Sequence, residues 1–185
     1  DALVFWGEDQ VKKRFSYKEL YDEVSRLAQA MQAAGLVAGD RVGAYMPNMP
    51  ETIVAMLAAN SIGAIWSSCS PDFGVQGVLD RFGQIEPKLV VACDGYFYNG
   101  KSHDNIAKVT AVLAELPSVE TTLIVPYSRQ NPPLEDVPHA VLWDDFIADF
   151  EAQDIEFNRL PFNHPLYIMY SSGPTGVPKC IVHGA

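Results

Sequence analysis

The sequence predicts an α/β fold, a mainly parallel sheet with helices on both faces. Three observations carry that prediction. Strand-like and helix-like segments alternate along the 185 residues, and repeated strand–helix–strand order is how parallel strands are joined. The run "KLVVAC", residues 88–93, is short and almost wholly apolar, the pattern of a strand buried on both faces. Finally, 48% of the residues are hydrophobic, enough to fill a core and far from a disordered composition.

The elements follow in chain order. "ALVF" reads as a short strand. Ser16-Tyr17-Lys18-Glu19 is a Ser-x-x-Glu capping box, which satisfies two free N–H groups at a helix start. Leu20, Val24, Leu27 and Met31 then recur at helical spacing, so one face of that helix is apolar. Gly35 is placed to end it in the left-handed conformation. The turn "AGD" leads to the strand "RVGAYM". Pro50-Glu51 opens a second helix reaching about Asn60, with proline where its missing N–H costs nothing. "AIWSSC" predicts a strand, "VQGVLDRFGQI" (75–85) a helix, "NIAKVTAVLAEL" a helix and "TTLIV" a strand. Residues 126–139 carry Pro126, Pro132, Pro133 and Pro138 and predict an exposed loop. "DDFIADF" reads as one short helix, "LYIMY" as a last strand, and "KCIVH" beyond it is strand-like.

Composition bounds the function. A net charge of −10 and a pI of about 4.7 repel nucleic-acid backbone and anionic lipid, which argues against both as partners. An anionic ligand then needs a local device: aimed N–H groups, a lysine or a metal ion. Cys69, Cys93 and Cys180 are odd in number and far apart, so they predict reduced thiols and a cytoplasmic protein rather than disulfides or zinc. His103, His139, His164 and His183 are equally scattered. No apolar run approaches ~20 residues, so no membrane span is expected.

The densest chemistry lies in "YSSGPTGVPK", residues 170–179. Glycines let a backbone approach phosphate oxygens, hydroxyls add short hydrogen bonds, and lysine adds a mobile charge. The spacing Gly173-x-x-Gly176-x-x-Lys179 is not that of a Walker A loop, and no helix pattern follows it. On residue chemistry alone two readings stand, a phosphate-holding loop and a surface hairpin turn rich in glycine, proline and serine. Trp66, Cys69 and Phe73 likewise fit a substrate pocket or plain core packing. Asp80 and Arg81 read as exposed helix residues without chemistry.

The stretch "YSSGPTGVPKCIVHGA" resembles the signature loop of the adenylate-forming superfamily: acyl-CoA synthetases, luciferases and peptide-synthetase adenylation domains. The superfamily pattern, Tyr-Ser/Thr-Ser-Gly-Ser/Thr-Thr-Gly-x-Pro-Lys-Gly, is matched at Tyr170, Ser171, Ser172, Gly173, Thr175, Gly176, Pro178 and Lys179. It departs at Pro174, where a hydroxyl residue is usual, and at Cys180, where glycine is common. Upstream, the stretch from "FSYKEL" to "AIWSS" follows the superfamily's N-terminal half. "WSSCSPDFGVQGVLDRFGQIEPK", "DGYFYNGK" and "PKCIVHGA" resemble more narrowly its acetoacetate-activating branch, in which Cys180 is expected.

The resemblance implies a two-step reaction with ATP, CoA and Mg²⁺. A carboxylate, here acetoacetate, attacks the α-phosphate of ATP, and the CoA thiol then displaces AMP. By position, Ser171, Ser172, Gly173, Thr175, Gly176 and Lys179 would hold the β- and γ-phosphates, with Pro178 stiffening the loop's exit. "DGYFYNGKSHD" would meet the CoA nucleotide through Lys101, with Tyr96 or Tyr98 stacking on adenine. The resemblance places the adenine and Mg²⁺ motifs, and a small C-terminal domain with the adenylation lysine, beyond residue 185. Residues 1–185 are thus expected to form part of the large N-terminal domain, with an incomplete sheet and no ligase activity alone. Two rivals stay open: a ligase for another short acid such as acetate or propionate, and a non-catalytic scaffold. The scaffold gains from Pro174, which removes an N–H and a hydroxyl and fixes φ near −65°.

Overall fold

The computed structural model describes residues 1–171 and 176–184. Its centre is a seven-stranded sheet of β3 (Arg41–Tyr45), β4 (Ile65–Cys69), β5 (Leu89–Cys93), β8 (Thr121–Val125), β9 (Ala140–Leu142), β10 (Pro165–Tyr170) and β11 (Cys180–Gly184), in the order β11-β10-β4-β3-β5-β8-β9. All neighbours pair in parallel except β10 and β11, which are antiparallel. The expected α/β class with a mainly parallel sheet is what the chain adopts.

Side chains alternate between the two faces of each strand, and two cores result. On one face, α1 (Tyr17–Ala33), α2 (Pro50–Ser61) and α5 (Trp143–Ile147) pack on Val42, Ala44, Trp66, Leu89, Val91 and Leu123. On the other, α3 (Val75–Ile85) and α4 (Ile106–Ala114) pack on Tyr45, Val90, Ala92 and Ile124. The five residues of β5 are all buried, as its unbroken apolar run predicts. The capping box forms at α1: Ser16 Oγ accepts from Glu19 N, and Ser16 N donates to Glu19 Oε2. Gly35 follows that helix with φ +84°, in the region where a side chain would be strained.

Other segments differ from the sequence-based expectation. Residues 11–15, polar and unassigned, form β2 (Val11–Phe15), which pairs with β1 (Leu3–Gly7) as a separate hairpin. "DGYFYNGKSHD" becomes a second hairpin, β6 (Gly95–Tyr98) and β7 (Lys101–Asp104), turning at Asn99 and Gly100 with φ of +51° and +72°. That is the Asn-Gly pattern of a two-residue hairpin turn. The short strand β9 was hidden beside the proline-rich stretch, and α5 is shorter than "DDFIADF" suggests.

Residues 126–139 are only partly exposed, because Pro132 and Val137 are buried and the start of the segment is pinned. Asp94, fully buried after β5, accepts from Tyr127 N (2.6 Å), Ser128 N (2.9 Å), Arg129 N (3.0 Å) and Ser128 Oγ (2.6 Å). A carboxylate can fix four donors that the strand ladder leaves free.

From α5 the chain returns in extended form across α1 and α2 to reach β10 beside β4. Ser25 Oγ donates to Gln153 O and accepts from Gln153 N, Tyr21 Oη accepts from Ile155 N, and Asn158 N donates to Ser61 O. Side chains of α1 and a backbone carbonyl of α2 thus supply the partners that an isolated extended segment lacks.

Candidate functional site

The carboxyl ends of β10, β4, β3 and β5 share one edge of the sheet, since these strands run parallel. The strand order reverses at β3, with β4 on one side and β5 on the other. Their connecting helices, α2 and α3, pack on opposite faces, which opens a crevice at that edge. The connection 171–179 leaves β10 there.

Its base is closed by two hydrogen bonds: Ser171 N donates to Lys179 O at 3.0 Å, and Lys179 N donates to Ser171 Oγ at 3.1 Å. They continue the antiparallel pairing of Tyr170 with Cys180. Ser171 and Lys179 are thereby held side by side, and the Lys179 side chain is exposed. Gly176 has φ +95°, open to glycine at no steric cost. The structure therefore brings Ser171, Gly176 and Lys179 into one connection. Ser172, Gly173 and Thr175, with Pro174, lie outside the described residues.

A cavity of about 530 Å³ opens beside this base, lined by Trp66, Phe73, Arg81, Tyr167, Tyr170 and Ser171 among others. Trp66 belongs both to the core of the α1–α2 face and to the cavity wall. Cys69 packs in the opposite core, and Phe73 sits at the rim, 37% exposed. Ser67 Oγ lies 2.9 Å from Tyr170 Oη and donates to Ile168 O at 2.8 Å. Burial pushes the Tyr170 phenol up, well clear of neutral pH, so it stays protonated.

Sequence reasoning missed two residues here. Arg81 is half-buried rather than exposed: its guanidinium carbon lies 4.3 Å from the Phe73 ring centre and 5.6 Å from that of Tyr170. Gln84 Nε2 reaches across to Pro178 O at 2.8 Å. The only local signal was the spacing of Gly77, Arg81 and Gln84, which puts them on one helix face.

The β6–β7 hairpin follows β5 at the same edge, three strand spacings from β10, or about 14 Å across the sheet. Tyr98 and Lys101 are cross-strand partners, and both are exposed, Tyr98 to 62%. Tyr96 is buried instead, stacked on His103 with ring centres 5.0 Å apart. Lys108 Nζ lies 5.4 Å from the Tyr96 ring centre and donates to Pro71 O at 2.7 Å. Burial lowers the Lys108 pKa from its ordinary value. Glu8 accepts from both turn amides, Asn99 N at 2.7 Å and Gly100 N at 2.8 Å. Among the described residues no three His, Cys, Asp or Glu side chains come together as a metal-ligand set.

An α/β sheet whose strand order reverses at β3, with a Gly-, Ser- and Lys-bearing connection at its carboxyl edge, is the setting in which such folds place ligands, and the chain belongs to the AMP-binding enzyme family, which it matches along residues 1–185. It is 61% identical to an acetoacetyl-coenzyme A synthetase of Rhizobium meliloti (strain 1021), over all of this chain and 28% of that protein. It is 48% identical to the acetoacetyl-CoA synthetase of Macaca fascicularis, over 97% of this chain and 27% of that one. The solved acetoacetyl-CoA synthetase from Streptomyces lividans superposes with a TM-score of 0.91 at 38% identity, covering 99% of this chain and 27% of its own. A malonamoyl-CoA synthetase of Penicillium aethiopicum is 38% identical over the whole chain and 27% of its own length. The chain thus spans little more than a quarter of these relatives. No described helix is long and apolar enough to cross a membrane.

Proposed function

We propose that this chain supplies the phosphate-holding part of the large N-terminal domain of a cytoplasmic, AMP-forming acid–CoA ligase acting on acetoacetate. One observation carries the reading. A connection bearing glycine, serine and lysine leaves a parallel strand at the carboxyl edge of the sheet, in a chain 61% identical along its length to an acetoacetyl-coenzyme A synthetase.

In the reaction an acetoacetate oxygen attacks the α-phosphorus of ATP and pyrophosphate leaves. The CoA sulfur then attacks the acyl carbon and AMP departs. Both steps shift charge onto phosphate oxygens, so donors and cations fixed beforehand lower the barrier. Ser171 keeps its hydroxyl proton to donate, because Oγ acts as acceptor toward Lys179 N. Lys179 adds a mobile charge to the β- and γ-phosphates, and Gly176 lets the backbone come close. Ser172, Gly173 and Thr175 complete the set by their place in the motif. At the hairpin, Lys101 would meet a phosphate of CoA and Tyr98 would stack on its adenine. Tyr96 supports them from beneath. When bound, Mg²⁺ would neutralise phosphate charge.

The test is a chimera in which this chain replaces the matching part of the Rhizobium meliloti relative. ATP–pyrophosphate exchange is measured with acetoacetate, acetate, propionate and malonamate. Exchange that depends on acetoacetate above the others supports the reading. Preference for another acid reassigns the substrate, and a folded chimera inactive with every acid overturns the ligase reading in favour of a scaffold.

A further inference from the structure

We propose that helix α3 braces the base of the 171–179 connection, with Arg81 and Gln84 as positioning residues for ATP; the inference rests on the phosphate-holding reading above. The two residues act on opposite ends of that base. At the entry, the Arg81 guanidinium carbon lies 4.3 Å from the Phe73 ring centre and 5.6 Å from that of Tyr170, within cation–π reach of both. Its Nη1 donates to Gly77 O at 2.6 Å, one turn back on the same helix, which restrains the group. Among the described residues no carboxylate lies within ion-pair reach of Arg81, whereas Lys88 and Arg129 each have two. Its charge is left uncompensated beside Tyr170 and Ser171, where the cavity opens.

At the exit, the Gln84 carboxamide is fully engaged. Nε2 donates to Asp80 O at 2.5 Å and to Pro178 O at 2.8 Å, and Oε1 lies 3.6 Å from Cys180 Sγ. A side chain tied to its own helix and to the far strand transmits the position of one to the other. Between these two contacts lies the Ser171–Lys179 pair that closes the base. The brace therefore sets the spacing of Ser171 and Lys179, and with it the geometry offered to a triphosphate. A lysine at 81 could keep the charge without the flat, several-donor guanidinium that suits an aromatic face.

The test uses Arg81→Ala, Arg81→Lys and Gln84→Ala in the chimera. Loss of the cation–π contacts and of one carbonyl bond is expected to raise KM for ATP about tenfold in Arg81→Ala. Gln84→Ala is expected to raise it about threefold, by loss of one neutral bond. KM for the acid and for CoA should stay within about twofold, and Arg81→Lys should recover part of the loss. An unchanged KM for ATP, or equal rises for ATP and acid, overturns the brace. Should Arg81→Ala fail to fold, the exposed Gln84→Ala still decides. Should the unsubstituted chimera be inactive with every acid, the ligase reading falls, and the brace is judged by hydrogen exchange on the 185-residue chain. Gln84→Ala must then speed exchange at the Ser171 and Lys179 amides about tenfold while α1 is unaffected. Unchanged protection there sinks it.

Discussion

Replacing Asp94 by asparagine should cost this chain a large part of its stability. The native carboxylate is 0% exposed and takes four donors. An asparagine oxygen turned toward Tyr127 N and Ser128 N keeps those two bonds, now neutral ones. Its NH₂ then faces Ser128 Oγ, which can turn to accept, and Arg129 N, which cannot. One buried backbone N–H is left without a partner, at about 1–3 kcal/mol, and each retained bond loses about 1 kcal/mol with the charge. Relief from burying a charge returns part of this, so a net loss of about 2–4 kcal/mol is expected. With a urea slope of about 2 kcal/mol/M, the middle of the usual range, the unfolding midpoint should fall by about 1–2 M, followed by tryptophan fluorescence. Ser128→Ala, which removes one donor, should fall by less than half as much. A midpoint for Asp94→Asn within about 0.2 M of the parent would refute the reasoning, since the loop would then be held by something else.

Three further outcomes are expected. Gly95→Ala should destabilise by about 2 kcal/mol or more, because a Cβ there would stand 2.3 Å from Ser128 Oγ and 2.6 Å from His103 O; a denaturation midpoint equal to the parent's would contradict it. Burial pushes the Cys69 and Cys93 thiols up to about 12 from an ordinary 9.0. The unfolded chain therefore ionises first, so stability is intact below pH 9 and falls as pH rises from about 9 toward 12. In thiol labelling of the native chain, half-exposed Cys180 should react first, and equal rates at all three would tell against this burial. In the chimera, Lys179→Ala should lower kcat/KM for ATP about ten- to a hundredfold. Its melting should stay within about 0.5 kcal/mol of the parent; a collapsed midpoint with unchanged activity per folded molecule would make this lysine structural.

What the sequence by itself determined about this protein is local. The capping box, the apolar spacing of α1, the proline at the start of α2 and the unbroken run of β5 each act within one turn or one strand. They were legible because caps and side-chain periods depend on near neighbours. The Gly, Ser and Lys content of 171–179 was legible too, as chemistry without a position. Tertiary structure alone decided the rest. Polar β2 is a strand because β1 offers it a partner, and β6–β7 is a hairpin whose turn amides are met by Glu8. The proline-rich segment is pinned because Asp94, distant in the chain and buried, takes its backbone donors. Arg81 read as an idle surface residue until the strand order brought Tyr170 against it. Such pairings join residues far apart in the chain and depend on how the strands are ordered, which neither propensity nor period records.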